Sequence, residues 1–257
     1  MVSEEDKKKH LYTSCSAWYK TPVGEFALQK LDEKISENFS EIFGYFAFES
    51  GALLNTHQFL RSSRVDTCFS LGRDVENIEK TAVKADVEAL PLDFDSIDLV
   101  LMNHVLECSN DPHQVLREVD RVLVADGHCI IVGFNPLSFW QNRRSFCDSA
   151  GSTMVPRLYG VSRMRDWISL LGWKINKISY LSFRARFMKG RLFTKLEKME
   201  KWGSLYWPVF GNIYIIHAQK QVMGGILRKP EWDAAKVLPP KIAINPTPRS
   251  TQTRERK

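Results

Sequence analysis

The stretch Val83–Pro136, VKADVEALPLDFDSIDLVLMNHVLECSNDPHQVLREVDRVLVADGHCIIVGFNP, decides the fold. Its apolar runs at 81–85, 97–102 and 128–134 read as strands, and between the last two lies a helix. That helix, Pro112 to Leu123, carries Val115, Leu116, Val119, Val122 and Leu123 at three- and four-residue spacing, so one face is apolar. Asp111 stands where an N-cap is needed, Pro112 suits the first helical position, and Asp126-Gly127 marks the turn that follows. Strand, short helix, strand with near-continuous apolar runs is the pattern of a parallel sheet covered on both faces. A doubly wound α/β fold is therefore expected.

Working outward, Tyr45 to Phe48 and Val65 to Leu71 supply two earlier strands. Val161 to Leu171 reads as a helix closed by Gly172, and Trp173 to Phe183 and Asn212 to Gln219 as two later strands. Residues 1–40 read as a polar leader followed by a helix, whose inner face is Leu28, Leu31, Ile35 and Phe39. The expected organisation is this leader and helix, an α/β domain over 41–221, and a tail over 222–257. The tail has five prolines interleaved with charges and reads as disordered.

With 257 residues, 44% apolar and 26% charged, the chain can bury a substantial core, and a collagen or a wholly disordered chain is excluded. No apolar run approaches the roughly 18 residues that span a bilayer, and residues 1–10 lack the apolar core of a secretory signal. A cytoplasmic location is expected. The five cysteines are odd in number, widely spaced and without a C-x-x-C pair, which argues against a disulfide framework or a structural zinc site. The net charge of +6 is unevenly placed: residues 184–201 and 222–257 each carry about +5, leaving the rest about −4. An anionic partner would meet those segments and not the main fold. The basic, aromatic insertion 184–208 has three readings: a lid over a substrate pocket, a nucleic-acid surface, or a membrane contact.

The stretch 83–136 resembles the second half of the class I S-adenosylmethionine-dependent methyltransferase domain, in the broad group that modifies small molecules. The features that carry the resemblance are Asp86, Leu90-Pro91, Ile97-Asp98, Asp111-Pro112, Glu118, Arg121, Leu123, Gly127 and Ile130 to Val132, in that order. Gly133 to Pro136 and Asp166-Trp167 extend the likeness toward bacterial methyltransferase-like proteins of the YafS type. The resemblance implies a mostly parallel, Rossmann-like sheet of seven strands, the last running antiparallel between the fifth and sixth, with S-adenosylmethionine as cofactor. A sulfonium methyl is already activated, so transfer needs positioning and a desolvated pocket more than a metal. By the resemblance, Asp86 lies near the adenine amino group with Val87 or Glu88 beside the ring, and Asn103 and His104 lie at the sulfonium end. His104 is then a candidate general base toward the acceptor, or a loop histidine lining the pocket.

The first motif departs from the family. In place of three glycines the chain has Phe46-Ala47-Phe48-Glu49-Ser50-Gly51-Ala52, which leaves Gly51 for the turn and Glu49 as its acidic neighbour. The carboxylate expected for the ribose falls late, at Asp74 or Glu76. Asp98 reads as structural, Glu118 and Arg121 as a surface or packing pair, and Asn135-Pro136 as a turn device. His104 and Glu107 lack a third ligand for a metal. Two functions follow. One is methyl transfer to a small acceptor, using Glu49, Gly51, Asp86, Val87 and Asn103 for the cofactor and His104 near the acceptor. The other is a catalytically silent relative that binds nucleic acid or protein through the basic insertion and tail.

Overall fold

The structure, a computed structural model, describes residues 4–53, 59–72, 82–138, 157–182 and 208–221. Seven strands form one sheet: β1 (Phe43–Gly51), β2 (Arg64–Gly72), β3 (Ala82–Lys84), β4 (Ile97–Asn103), β5 (Leu123–Phe134), β6 (Lys174–Leu181) and β7 (Ile213–Gln219). Their order is β3-β2-β1-β4-β5-β7-β6, with β1 to β5 parallel and β7 antiparallel to both β5 and β6. The expected seven-stranded, doubly wound sheet is present. The insertion 184–208 except Pro208, the tail 222–257, Asp74 and Glu76 lie outside the described residues.

Side chains alternate across the sheet with period two. Ala47, Leu99, Leu101, Ile130 and Val132 bury one face, against Ala27, Leu31, Ile35 and Phe39 of helix α2 (Pro22–Phe39). Phe48, Val100, Met102, Cys129 and Ile131 bury the other, against the apolar stripe of α4 (Pro112–Val122) and against Met164 and Ile168 of α5 (Val161–Leu170). Both long caps are as the residues dictate: Thr21 accepts from Gly24 N–H before α2, and Asp111 accepts from Gln114 N–H before α4.

Two expectations need correcting. The polar leader is a helix, α1 (Glu4–Tyr19), whose last turns are buried through Cys15, Trp18 and Tyr19. Its first half is charged throughout, so no apolar period of useful length exists for a pattern to detect. The fifth strand begins at Leu123 and not at His128: Ile97 pairs with Leu123 and Leu99 with His128, so the intervening residues bulge, with Asp126 at φ 62°. Lys220 closes the bulge, its N–H donating to Gly127 O and its carbonyl accepting from Asp126 N–H.

Asp98 acts as a structural carboxylate. Its Oδ2 accepts from the N–H groups of Tyr45 (2.8 Å) and Phe46 (3.0 Å), fixing where β1 meets β4. Asn135 is a turn device at the exit of β5: its amide donates to Val209 O and Gly211 O while its Oδ1 accepts from Leu137 N–H. Among the described residues no helix is long and apolar enough to cross a membrane.

At the opposite edge of the sheet His128 of β5 and His217 of β7 share a hydrogen bond of 2.9 Å beside a cavity lined by Glu37, Glu41 and Lys177. Burial, reinforced by His128 and Lys177, lowers His217 to about 4. An unfolded histidine titrates near 6.5. Between those values the unfolded chain holds a proton that the folded chain refuses, so stability rises with pH across the window and is lost on acidification. Urea midpoints at about pH 7 and about pH 5 are expected to differ, and His217→Gln to remove part of the difference. Equal differences in both proteins would clear His217 of the effect.

Candidate functional site

The strand order reverses between β1, which leads outward through β2 and β3, and β4, which leads the other way. The carboxyl ends of β1 and β4 stand at this reversal, which is the usual ligand position in open α/β sheets. Gly51 and Asn103 stand there as register partners. Gly51 has φ +133°, and a Cβ on it would lie 1.8 Å from the Asn103 carbonyl oxygen, which accepts from Ala52 N–H. The glycine retained from the eroded motif is thus required by the close approach of two strands.

Glu49 is 2% exposed and already engaged. Its Oε2 accepts from the N–H groups of Phe59 and Leu60, capping the 3-10 turn Phe59–Ser62, and its Oε1 accepts from Ser70 Oγ. Asn103 is the reverse case. The residue is 1% exposed and its Oδ1 has no hydrogen-bond partner among the described residues, a state that costs roughly 1–3 kcal/mol.

The next residue turns the chain. His104 adopts the left-handed conformation (φ 57°, ψ 23°) ahead of the short helix α3 (Val105–Cys108), and its N–H donates to Val132 O. The ring is fully buried and stacks on Phe134 with centroids 4.0 Å apart. Its Nδ1 lies 2.6 Å from Glu107 Oε2 and its Nε2 lies 2.7 Å from the Tyr19 hydroxyl of α1. The second Glu107 oxygen accepts from Phe134 N–H. His104 and Glu107 form a hydrogen-bonded pair, and among the described residues no cluster of three metal-capable side chains exists. Tyr19 was missed by sequence reasoning, because the Trp18-Tyr19 pair at the end of a charged leader was the only available sign.

The loop after β3 supplies the acidic part of the edge. Asp86 and Ala89 form an isolated bridge, Asp86 Oδ1 accepts from Glu88 N–H, and Val87 is buried. Lys8 of α1 lies 2.7 Å from Glu88 and 3.9 Å from Asp86. Burial pushes the Glu88 carboxyl up, but hydrogen bonds from Lys8 and Ser109 outweigh it and hold it below the usual range. Glu118 and Arg121 do more than pair with each other on α4: they clamp this loop. Glu118 Oε2 accepts from Leu90 N–H, and the Arg121 guanidinium donates to Leu90 O (2.8 Å) and Leu92 O (2.9 Å).

Helix α1 therefore crosses the carboxyl edge, with Lys8 at the loop after β3 and Tyr19 at the turn after β4. Trp18 lies edge-on to Phe134 at the end of β5, and Cys15 Sγ is 3.8 Å from Cys108 Sγ. All the candidates from sequence, Glu49, Gly51, Asp86, Val87, Asn103 and His104, lie along this one edge.

Residues 55–131 match the family described as methyltransferase domain. The sheet has the class I methyltransferase fold. It is 32% identical over 162 residues to the uncharacterised protein YafS of Escherichia coli, covering 62% of this chain and 65% of that protein. It is 33% identical over 91 residues to the malonyl-[acyl-carrier protein] O-methyltransferase of Laribacter hongkongensis, covering 35% and 31%. The matches thus span just under two thirds of one curated relative and less than a third of the other. The methyltransferase fold is also shared with an S-adenosylmethionine-dependent methyltransferase structure from Thermotoga maritima. There the TM-score is 0.55, with 18% identity over 77% of this chain and 91% of that one.

Proposed function

We propose that this methyltransferase domain binds S-adenosylmethionine along the carboxyl edge and transfers its methyl group to a small-molecule acceptor. The observation that carries the reading is Asn103: a buried amide oxygen without a partner among the described residues, in register with Gly51 where the strand order reverses. Such an orphan acceptor suits the cationic, amine-bearing end of the cofactor. Asp86 would accept from the adenine amino group and Val87 would lie against the ring. Glu49 and Gly51 act by holding the backbone at this reversal. When bound, the cofactor supplies an activated methyl on a positively charged sulfur. The chain supplies orientation and a dry surface, with His104 close to the acceptor. The unbridged Cys15 and Cys108 thiols fit a reducing compartment, which supports a cytoplasmic setting.

Thermal unfolding with S-adenosylmethionine or its demethylated product, against ATP and NAD, tests the reading. Ligand at 100 times its dissociation constant stabilises by about 2.7 kcal/mol, a melting shift of roughly 5–10 °C for a chain of this size. Asn103→Leu gives a sharper signature. Removing an unsatisfied buried oxygen is expected to raise the melting temperature of the free protein while reducing the ligand-induced shift, and Asp86→Ala to reduce that shift alone. Absence of any shift at millimolar ligand would refute the cofactor assignment.

A further inference from the structure

The general base assigned to this edge by sequence cannot touch an acceptor directly. Both ring nitrogens of His104 are taken, by Glu107 and by Tyr19, and Phe134 covers one ring face; His104 is 0% exposed and Tyr19 4%. In the sense a relay needs, the hydrogen-bond chain runs from the Tyr19 hydroxyl through His104 to Glu107. Glu107 is an acceptor at both oxygens, from His104 Nδ1–H and from Phe134 N–H. His104 Nε2 is then an acceptor, and the Tyr19 hydroxyl donates to it. The chain ends on the Tyr19 oxygen, which keeps lone pairs to receive a proton. That oxygen belongs to α1, the element lying across the carboxyl edge, and it neighbours Asn103 through His104.

Resting on the methyl-transfer reading above, we propose that Tyr19 is the group that meets the acceptor and takes its proton. An acceptor hydroxyl or amine attacks the sulfonium methyl, so an oxygen–carbon or nitrogen–carbon bond forms as the sulfur–carbon bond breaks, its electron pair remaining on sulfur as a neutral thioether. The acceptor's proton passes to Tyr19 as the Tyr19 proton passes to His104 Nε2. The imidazolium is held by Glu107 until product leaves and the proton returns to water. Tyr19 is the catalytic residue in this scheme, and His104 and Glu107 position and relay.

The logic is that of a nucleophile, base and orienter in sequence, with tyrosine in the outer place. It accounts for burying a histidine so completely: with Glu107 at Nδ1 and Phe134 over one face, the ring can exchange a proton only with the group bonded to Nε2. It also gives α1 a chemical role, since the residue that completes the relay arrives on the helix that shields it from water.

The test uses the small-molecule filtrate of a cell lysate as the acceptor pool and release of S-adenosylhomocysteine as the readout, across pH. Tyr19→Phe is nearly isosteric and is expected to keep the ligand-induced melting shift while losing on the order of 100-fold or more in turnover. His104→Gln is expected to retain at most slow turnover that still climbs with pH above the ordinary tyrosine range, because burial holds the Tyr19 hydroxyl well above that range and it must then lose its proton unaided. Turnover by Tyr19→Phe within a few-fold of the parent would overturn the proposal, as would a His104→Gln protein dead at every pH beside an active Tyr19→Phe. Fluorine NMR of fluorotyrosine-labelled protein reads the relay without an acceptor: the Tyr19 resonance should respond to acid in the parent and not in His104→Gln. A parent protein with neither melting shift nor product release would sink the methyl-transfer reading itself, and the relay's catalytic role with it.

Discussion

Gly51→Ala is expected to lose at least about 3 kcal/mol of stability, a fall in melting temperature of roughly 6–12 °C or more. Two costs act together. The residue sits at φ +133°, which L side chains rarely adopt, and the new Cβ would fall 1.8 Å from the Asn103 carbonyl oxygen. Relief requires β1 and β4 to part at their carboxyl ends, which also breaks the bond from Ala52 N–H to Asn103 O. Gly172→Ala is the control: φ is +75° but nothing lies within 4 Å of the new atom, so only backbone strain of about 1 kcal/mol is expected. If the two variants melted together, steric closure at the strand reversal would not be the reason for the glycine. Ligand binding by Gly51 variants is therefore a poor test of cofactor contact, because the fold fails first.

Glu107→Ala should cost about 3–5 kcal/mol, the range for removing one partner of a buried charge-assisted network. The carboxylate serves two elements at once, His104 Nδ1 at the turn after β4 and the Phe134 N–H at the end of β5. Without it both donors are buried with nothing to receive them, and the His104 ring loses the bond that fixes its tautomer. Glu107→Gln is expected to recover part of the loss, since its amide oxygen can accept one of the two bonds. Urea unfolding of the three proteins reads this directly. A loss below about 1 kcal/mol in Glu107→Ala would show that the network contributes little to holding β4 and β5 together.

The order in which these effects were visible follows from where each residue's partners lie. The stripe of α4, its Asp111 cap and the apolar strands are local patterns, and the structure reproduces them. Asp98 was legible as a strand-entry residue because its role concerns the strand it begins. Glu118 and Arg121 were readable only as neighbours of one another, since the groups they grip are backbone atoms of Leu90 and Leu92, about 30 positions away. Glu49 is similar, spent on the N–H groups of Phe59 and Leu60. Tyr19 was hidden by its surroundings in the chain, because a helix whose inner face is confined to its final turns leaves too short a period to detect. Cys15 and Cys108, 93 positions apart, gave no sign of touching.

The corner between α1 and α2 has a kinetic consequence. Thr21 caps α2 through Gly24 N–H while its hydroxyl also donates to Trp18 O, and any Cβ on Gly24 would strike that same carbonyl. So tight a corner leaves no hinge about which α1 could swing as a rigid door. Uncovering the edge is therefore expected to need local melting of α1, at the Lys8 ion pair and then toward Tyr19. Amide exchange along α1 should accordingly be graded, fast at its start and slow at Trp18, and ligand entry should run at the rate of that local melting.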